Sequence, residues 1–207
     1  MEGKRIIVTT DLSENAQPAA RFAAKLARGV DAEVEVMHVF NLTGGGGREK
    51  IRIFRDPQLR ENARQRVEDW YREVTESTPD AVNLDAGEPA AMILERGAAD
   101  DVFCQVIGMS GRGAWNRMIF GSTALKVAGR PAALTAVVHP TVHQVRQGVT
   151  IAVGTDFSDS SGRALERAAW FARQFEASSL HLVHVNVLPS RTVIHEGELP
   201  PVWPARR

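Results

Sequence analysis

The run RIIVTTD (5–11) is apolar and β-branched and closes on an aspartate, the pattern of a buried strand. Ser13 stands where an N-cap is expected, and Ala19, Phe22, Ala23, Leu26 and Ala27 recur at helical spacing as far as Gly29. EVEVMHVF (33–40) alternates as a second strand, so the opening segment predicts a βαβ unit with parallel strands and a right-handed crossover. The tract NLTGGGGREK (41–50) has four consecutive glycines but no Lys-Ser or Lys-Thr in P-loop register, and it predicts a flexible loop. From 57 to 77, Leu59, Ala63, Val67, Trp70 and Val74 form one apolar stripe on a helix. Arg60, Arg64, Arg66 and Arg72 lie mostly off that stripe, as a solvated face does.

AVNLDAG (81–87) predicts a third strand, and Pro89 is placed for the first turn of a helix carrying Met92, Ile93 and Leu94. DVFCQVIGM (101–109) predicts a fourth strand, a helix over 122–129 ends at Gly129-Arg130-Pro131, and AALTAVVHP (132–140) predicts a fifth strand. Strands alternating with helices specify an α/β domain over 1–140, with a doubly wound five-stranded parallel sheet covered on both faces.

After a polar linker (141–148) the pattern restarts. Thr155-Asp156, Ser158 and Arg173 repeat Thr10-Asp11, Ser13 and Arg28 at a constant offset, and His184-Val185 repeats His38-Val39 one residue further on. This second copy, 149–207, carries a strand, a helix and a strand, then a tail with no further helix and no glycine loop. Two strands and one helix bury too little to stand alone, so the copy is expected to dock on the first domain, be completed by another chain, or be partly disordered.

Composition narrows the function. Lys and Arg number 25 and Asp and Glu 25, which argues against a broad nucleic-acid or anionic-membrane surface. No stretch approaches the roughly 20 apolar residues of a membrane span. Cys104 is the only cysteine, so an internal disulfide and a multi-cysteine metal site are both excluded. His38 and His184 fall in strands as core residues, and His181 and His184 point to opposite strand faces. A cytoplasmic protein that binds neither membrane nor nucleic acid is the expectation.

The candidate chemistry lies in GMSGRGAWNRMIFGST (108–123). Gly108, Gly111 and Gly113 expose bare backbone N–H groups where the fourth strand ends, as an anion requires. Gly121-Ser122-Thr123 then opens a helix whose free N–H groups and positive dipole end suit a phosphate. If the first and fourth strands are neighbours across the switch point of the sheet, Asp11 and this loop face one crevice. On glycine content alone, an ordinary glycine-rich turn followed by a Ser/Thr cap fits equally.

The spacing G-x2-G-x9-G-S, read as Gly108, Gly111, Gly121 and Ser122, follows a fourth strand in a repeated βα fold whose first strands each end in Asp. The chain thereby resembles the universal stress protein family, in its ATP-binding branch, with an adenine nucleotide alpha hydrolase-like fold. The resemblance spans 4–140, and 149–188 as the start of an incomplete second domain. It implies that Asp11 and Val39 surround adenine and ribose. It implies too that Ile107, Gly108, Ser110, Gly111, Gly113, Gly121, Ser122 and Thr123 hold the phosphates of ATP, with a Mg²⁺ ion. It further implies a stress-survival regulator or scaffold, often a homodimer, with an unnamed protein partner and little hydrolysis. The second copy keeps Asp156 and Val185 but no phosphate loop, so a second complete site is not expected. A slow ATPase of the same fold and a nucleotide-free interaction module are the alternatives; TTDLSEN carries no serine-glycine-glycine loop, and no base stands beside the glycine loop.

Overall fold

The computed structural model describes residues 5–42, 46–109, 120–130, 133–142 and 148–185. The chain divides into two compact units, Met1–Val149 and Thr150–Arg207. The first contains β1 (Arg5–Thr9), α1 (Gln17–Val30), β2 (Glu33–Asn41), α2 (Gly47–Arg55), α3 (Pro57–Thr75), β3 (Ala81–Gly87), α4 (Pro89–Gly97), β4 (Val102–Gly108), α5 (Ser122–Gly129) and β5 (Leu134–Val138). Its sheet is parallel throughout, in the order β3-β2-β1-β4-β5. The order reverses between β1 and β4, so the switch point lies between Asp11 and Gly108, and the predicted fold class holds.

Burial is deepest in the central strands β1 and β4, and less complete in the outer strands β3 and β5. Ile6, Ile7 and Val8 of β1 are fully buried. Alternate residues divide between two helical layers. On one side α1 presents Ala19, Ala20, Ala23, Ala24 and Ala27, small side chains that let the helix lie close to the sheet. α3 adds Val67 and Tyr71 to that unit's core. On the other side Ile7, Met37 and Ile107 pack with Ala90 and Ile93 of α4 and with Ala124 and Val127 of α5.

The structure departs from the sequence reading at three places. Ser13 does not cap a helix with its side chain: a 3₁₀ turn, Glu14–Ala16, intervenes before α1, and the hydroxyl goes to Asp11 instead. α1 runs past Gly29 to Val30, and Asp31 takes the left-handed conformation (φ 52°) that ends it. The tract 41–50 is not all loop, because α2 begins at Gly47, after Gly46 in the left-handed conformation (φ 81°). The alternation Ile51-Arg52-Ile53 hides this helix by imitating a strand. α3 starts where Asp56 Oδ1 accepts the N–H groups of Gln58 (2.9 Å) and Leu59 (3.1 Å), with Pro57 in its first turn.

Cys104 of β4 is fully buried, and that burial pushes its thiol up to about 12. A thiol so desolvated supplies no thiolate near neutrality. Ellman's reagent is therefore expected to titrate no thiol in the native chain at pH 8 and one after denaturation; prompt native reactivity would contradict this burial.

The second unit, taken by itself, holds β6 (Thr150–Gly154), α6 (Asp159–Gln174) and β7 (Ser179–Val183), with β6 and β7 parallel. It reproduces β1, α1 and β2 without their burial. α6 has no buried residue, whereas Leu182 and Val183 of β7 are 55% and 46% exposed.

Candidate functional site

A cavity of about 500 Å³ opens at the carboxyl ends of the strands, at the switch point. Its size is that of an ordinary small-ligand site. Thr9, Thr10 and Asp11 form the wall beyond β1, and Met37, Val39 and Asn41 that of β2. Ile107, Gly108 and Met109 close it from β4. Pro89 and Ile93 of α4, Gly121 with Ser122, Thr123 and Ala124 of α5, and Ala16 ahead of α1 complete the lining.

Past β1 the backbone makes two linked turns. Thr10 Oγ1 accepts the Leu12 N–H (2.9 Å), and Leu12 adopts φ 63°, a left-handed conformation rare outside glycine. Asp11 Oδ1 accepts from Ser13 N (3.0 Å) and Ser13 Oγ (2.5 Å), which fixes the carboxylate against the cavity wall. His38 Nδ1 lies 2.9 Å from the Thr10 carbonyl oxygen and ties the turn to β2.

The same device recurs in the second unit. Phe157 N donates to Thr155 Oγ1 (3.0 Å) at φ 65°, Ser158 holds Asp156 Oδ1 at 3.0 and 2.5 Å, and His184 Nδ1 meets the Thr155 carbonyl at 2.7 Å. Hydrogen bonds from the Ser158 hydroxyl and N–H, then the Ser161 hydroxyl, lower the Asp156 carboxyl to about 2. The repeated residues thus encode a repeated turn.

At the other wall, the N-cap of α5 is Gly121, which has no side chain to offer the helix. The first helical bond runs from Leu125 N to Gly121 O (3.0 Å). Among the described residues, no acceptor meets the N–H groups of Ser122, Thr123 or Ala124, all three of which line the cavity. Gly121 N donates to Met109 O (2.8 Å) and Met109 N to Val138 O (2.8 Å), so Met109 and Gly121 are tied to each other and to the end of β5. Lys126 of α5 pairs with Glu88 (2.9 Å), whose other oxygen caps α4 through Ala91 N (2.7 Å). Lys126, then the Ala91 N–H, holds the Glu88 carboxyl below its ordinary value.

Asp11, Val39, Ile107, Gly108, Gly121, Ser122 and Thr123, singled out from sequence, all line this one cavity. Ser110, Gly111 and Gly113 lie outside the described residues. Sequence reasoning missed Met37 and Asn41, which share the face of Val39 at the strand period, and Pro89 and Ile93, which tertiary packing brings to the wall. The turn at Thr10 and Leu12 had a signal, since TTDLS recurs as GTDFS. Among the described residues no cluster of His, Cys, Asp and Glu is suited to a metal ion, and no helix is long and apolar enough to cross a membrane.

The model of the universal stress protein family matches residues 3–139 and 149–200. A universal stress protein structure from Archaeoglobus fulgidus DSM 4304 is similar at TM-score 0.67 and 21% identity, covering 90% of this chain and 69% of that one. Hypothetical protein MJ0577 gives TM-score 0.54 and 21% identity, covering 67% and 96%. Universal stress protein UspA from Lactobacillus plantarum gives 0.53 and 19%, covering 67% and 99%. Two thirds of this chain thus accounts for nearly all of the latter two, a likeness of fold. No curated protein matches the chain.

Proposed function

The chain belongs to the universal stress protein family, and from that premise we propose that its strand-end cavity binds ATP, as a nucleotide-responsive regulator or scaffold in stress survival. The observation that carries the reading is the start of α5, where a glycine N-cap leaves the N–H groups of Ser122, Thr123 and Ala124 without a described acceptor on the wall of a ligand-sized cavity. Such a helix end favours an anion through its N–H groups and its dipole, and a terminal phosphate meets both.

Asp11 and Val39 stand across the cavity and take the adenosine, with the apolar Met37, Val39 and Ile93 against the base and the Asp11 carboxylate toward the ribose hydroxyls. Ile107, Gly108, Gly121, Ser122 and Thr123, with Ser110, Gly111 and Gly113 from the intervening segment, take the phosphates and a Mg²⁺ ion carried by the nucleotide. Residues 1–140 form the complete domain, and 149–207 an incomplete second one that repeats the aspartate turn without a phosphate loop. The protein works as a homodimer in the cytoplasm, and a protein partner reads its nucleotide state.

Calorimetric titration of Mg·ATP into nucleotide-stripped protein tests this. One site per chain is expected, weakened about tenfold or more by Ser122→Ala with Thr123→Ala and lost with Gly111→Val. Asp11→Ala is expected to weaken ATP and adenosine alike. Absence of binding by folded wild type, or binding indifferent to these changes, would sink the reading; two sites would place a working cradle in the second unit.

A further inference from the structure

We propose that a second cavity, between α2, α3 and the edge strand β3, is a binding site for a small amphipathic anion, an apolar ring or chain carrying one carboxylate, sulfonate or phosphate. This cleft of about 400 Å³ shares no lining residue with the cavity at the strand ends. Its apolar part is Phe54, Pro57, Val82 and Leu84, and its rim is Arg55, Arg60 and Arg64.

The charges around it are less balanced than those at Arg64 and Arg72 of α3. Along α3, Arg64 pairs with Glu61 (2.6 Å) and Glu68 (3.0 Å), and Arg72 with Glu68 (2.7 Å) and Asp69 (2.8 Å). Glu61, the one carboxylate of the cleft, is therefore already held by Arg64. Arg55 and Arg60 have no carboxylate within ion-pair distance among the described residues.

Arg60 instead lies over the Phe54 ring, 4.7 Å from its centre, so a guanidinium and an aromatic face are assembled in one wall. The Asp56 carboxylate between them is engaged in capping α3. Across 47–60 the basic residues are Arg48, Lys50, Arg52, Arg55 and Arg60, against Glu49 and Asp56, in a chain whose net charge is zero.

An apolar floor beside two uncompensated guanidiniums selects ligands that are part hydrophobic and part anionic. A neutral hydrophobe leaves the arginines without a counter-charge, and a bare anion leaves the floor wet. The volume fits one ring system rather than an extended partner surface.

The probe is 8-anilinonaphthalene-1-sulfonate, titrated into the full ¹⁵N-labelled chain, beside N-phenyl-1-naphthylamine, which has the same rings and no sulfonate. The sulfonate is expected to shift the amides of Phe54, Val82 and Leu84 saturably and with no displacement by Mg·ATP. Arg55→Gln with Arg60→Gln is expected to weaken it about tenfold and leave the naphthylamine unchanged. Both arginines are exposed, and the variant's own amide spectrum checks its fold. Shifts confined to the second unit or the strand-end cavity would overturn the proposal. So would equal weakening of both probes, or unchanged sulfonate affinity in the arginine variant.

Discussion

Arg96→Met is expected to lower the stability of the first unit by about 3–5 kcal/mol, the range for removing one partner of a buried ion pair. Glu35, near the amino end of β2, is 4% exposed. Arg96 Nε and Nη2 reach its two oxygens at 2.9 and 2.8 Å. Without Arg96 the carboxylate keeps only Asn83 Nδ2 (3.2 Å) and a distant Arg5 (3.5 Å). The Met side chain covers the apolar part of the Arg96 site but leaves the charge in place, so the cost is that of a buried carboxylate stripped of its closest partner.

Urea unfolding would show it as a lower midpoint at unchanged slope, and Glu35→Leu with Arg96→Met is expected to recover most of the loss. A loss under about 1 kcal/mol would mean that this pair behaves like an exposed one. Acid sensitivity gives an independent check. Arg96 holds the Asp101 carboxyl below its ordinary value, chiefly through hydrogen bonds of 2.8 and 3.0 Å. A lowered folded value contributes stability that is present above the unfolded value, about 4, and is lost as pH falls below it. In Arg96→Met that part of the acid-induced loss is expected to shrink. Arg96, Glu35 and Asp101 sit toward the amino ends of the strands, so affinity at the opposite end is expected to survive wherever the variant is folded.

Glu35 also shows what the sequence could and could not convey. In EVEVMHVF the two glutamates look like the wet face of an alternating strand. In the structure residues 34–37 of β2 are buried, and of the two glutamates only Glu33 reaches the surface. Periodicity located the strand but not its burial, because burial depends on which helices return to cover it. The elements themselves were legible wherever local chemistry was decisive. β3 and α5 occupy 81–87 and 122–129 as read, bounded by Gly87 and by the Gly121 cap. α2 was not legible, since four glycines and an Ile-Arg-Ile alternation gave a local signal opposite to the tertiary outcome.

The cavity divides the same way. Asp11, Val39, Gly108 and Ser122 stand at strand and helix ends, and the topology rule for parallel sheets gathers such ends regardless of packing detail. Pro89 and Ile93 reach the lining only because α4 folds over β2 and β4, a three-dimensional fact with no local signature. The left-handed Leu12 became interpretable through its repetition at Phe157, where the same turn forms in a far less buried unit. That turn is therefore specified by its own threonine, aspartate and serine rather than by its surroundings.

Gln105→Met is expected to raise stability by about 1–3 kcal/mol, the cost of leaving a buried polar group without a partner. Gln105 of β4 is 1% exposed, and its side-chain nitrogen and oxygen have no hydrogen-bond partner among the described residues. Methionine has nearly the same length and no amide to desolvate, so packing is retained while the unmet polar groups disappear. The amide also explains Gly97, the last residue of α4. A Cβ there would stand 2.7 Å from Gln105 Oε1 and 2.9 Å from its Cδ and Nε2. Replacing glycine by alanine in an exposed helix gains about 1 kcal/mol, but against a side chain buried too deeply to swing away Gly97→Ala is expected to destabilise by about 1–3 kcal/mol. The two sites touch, so their effects will not add. Gly97→Ala with Gln105→Ala is expected to be more stable than the sum of the single changes predicts. Urea midpoints of the four proteins measure the coupling. An unchanged or lowered midpoint for Gln105→Met would mean that an internal water satisfies the amide and that the glutamine is a fixed polar element of the core rather than a cost to it.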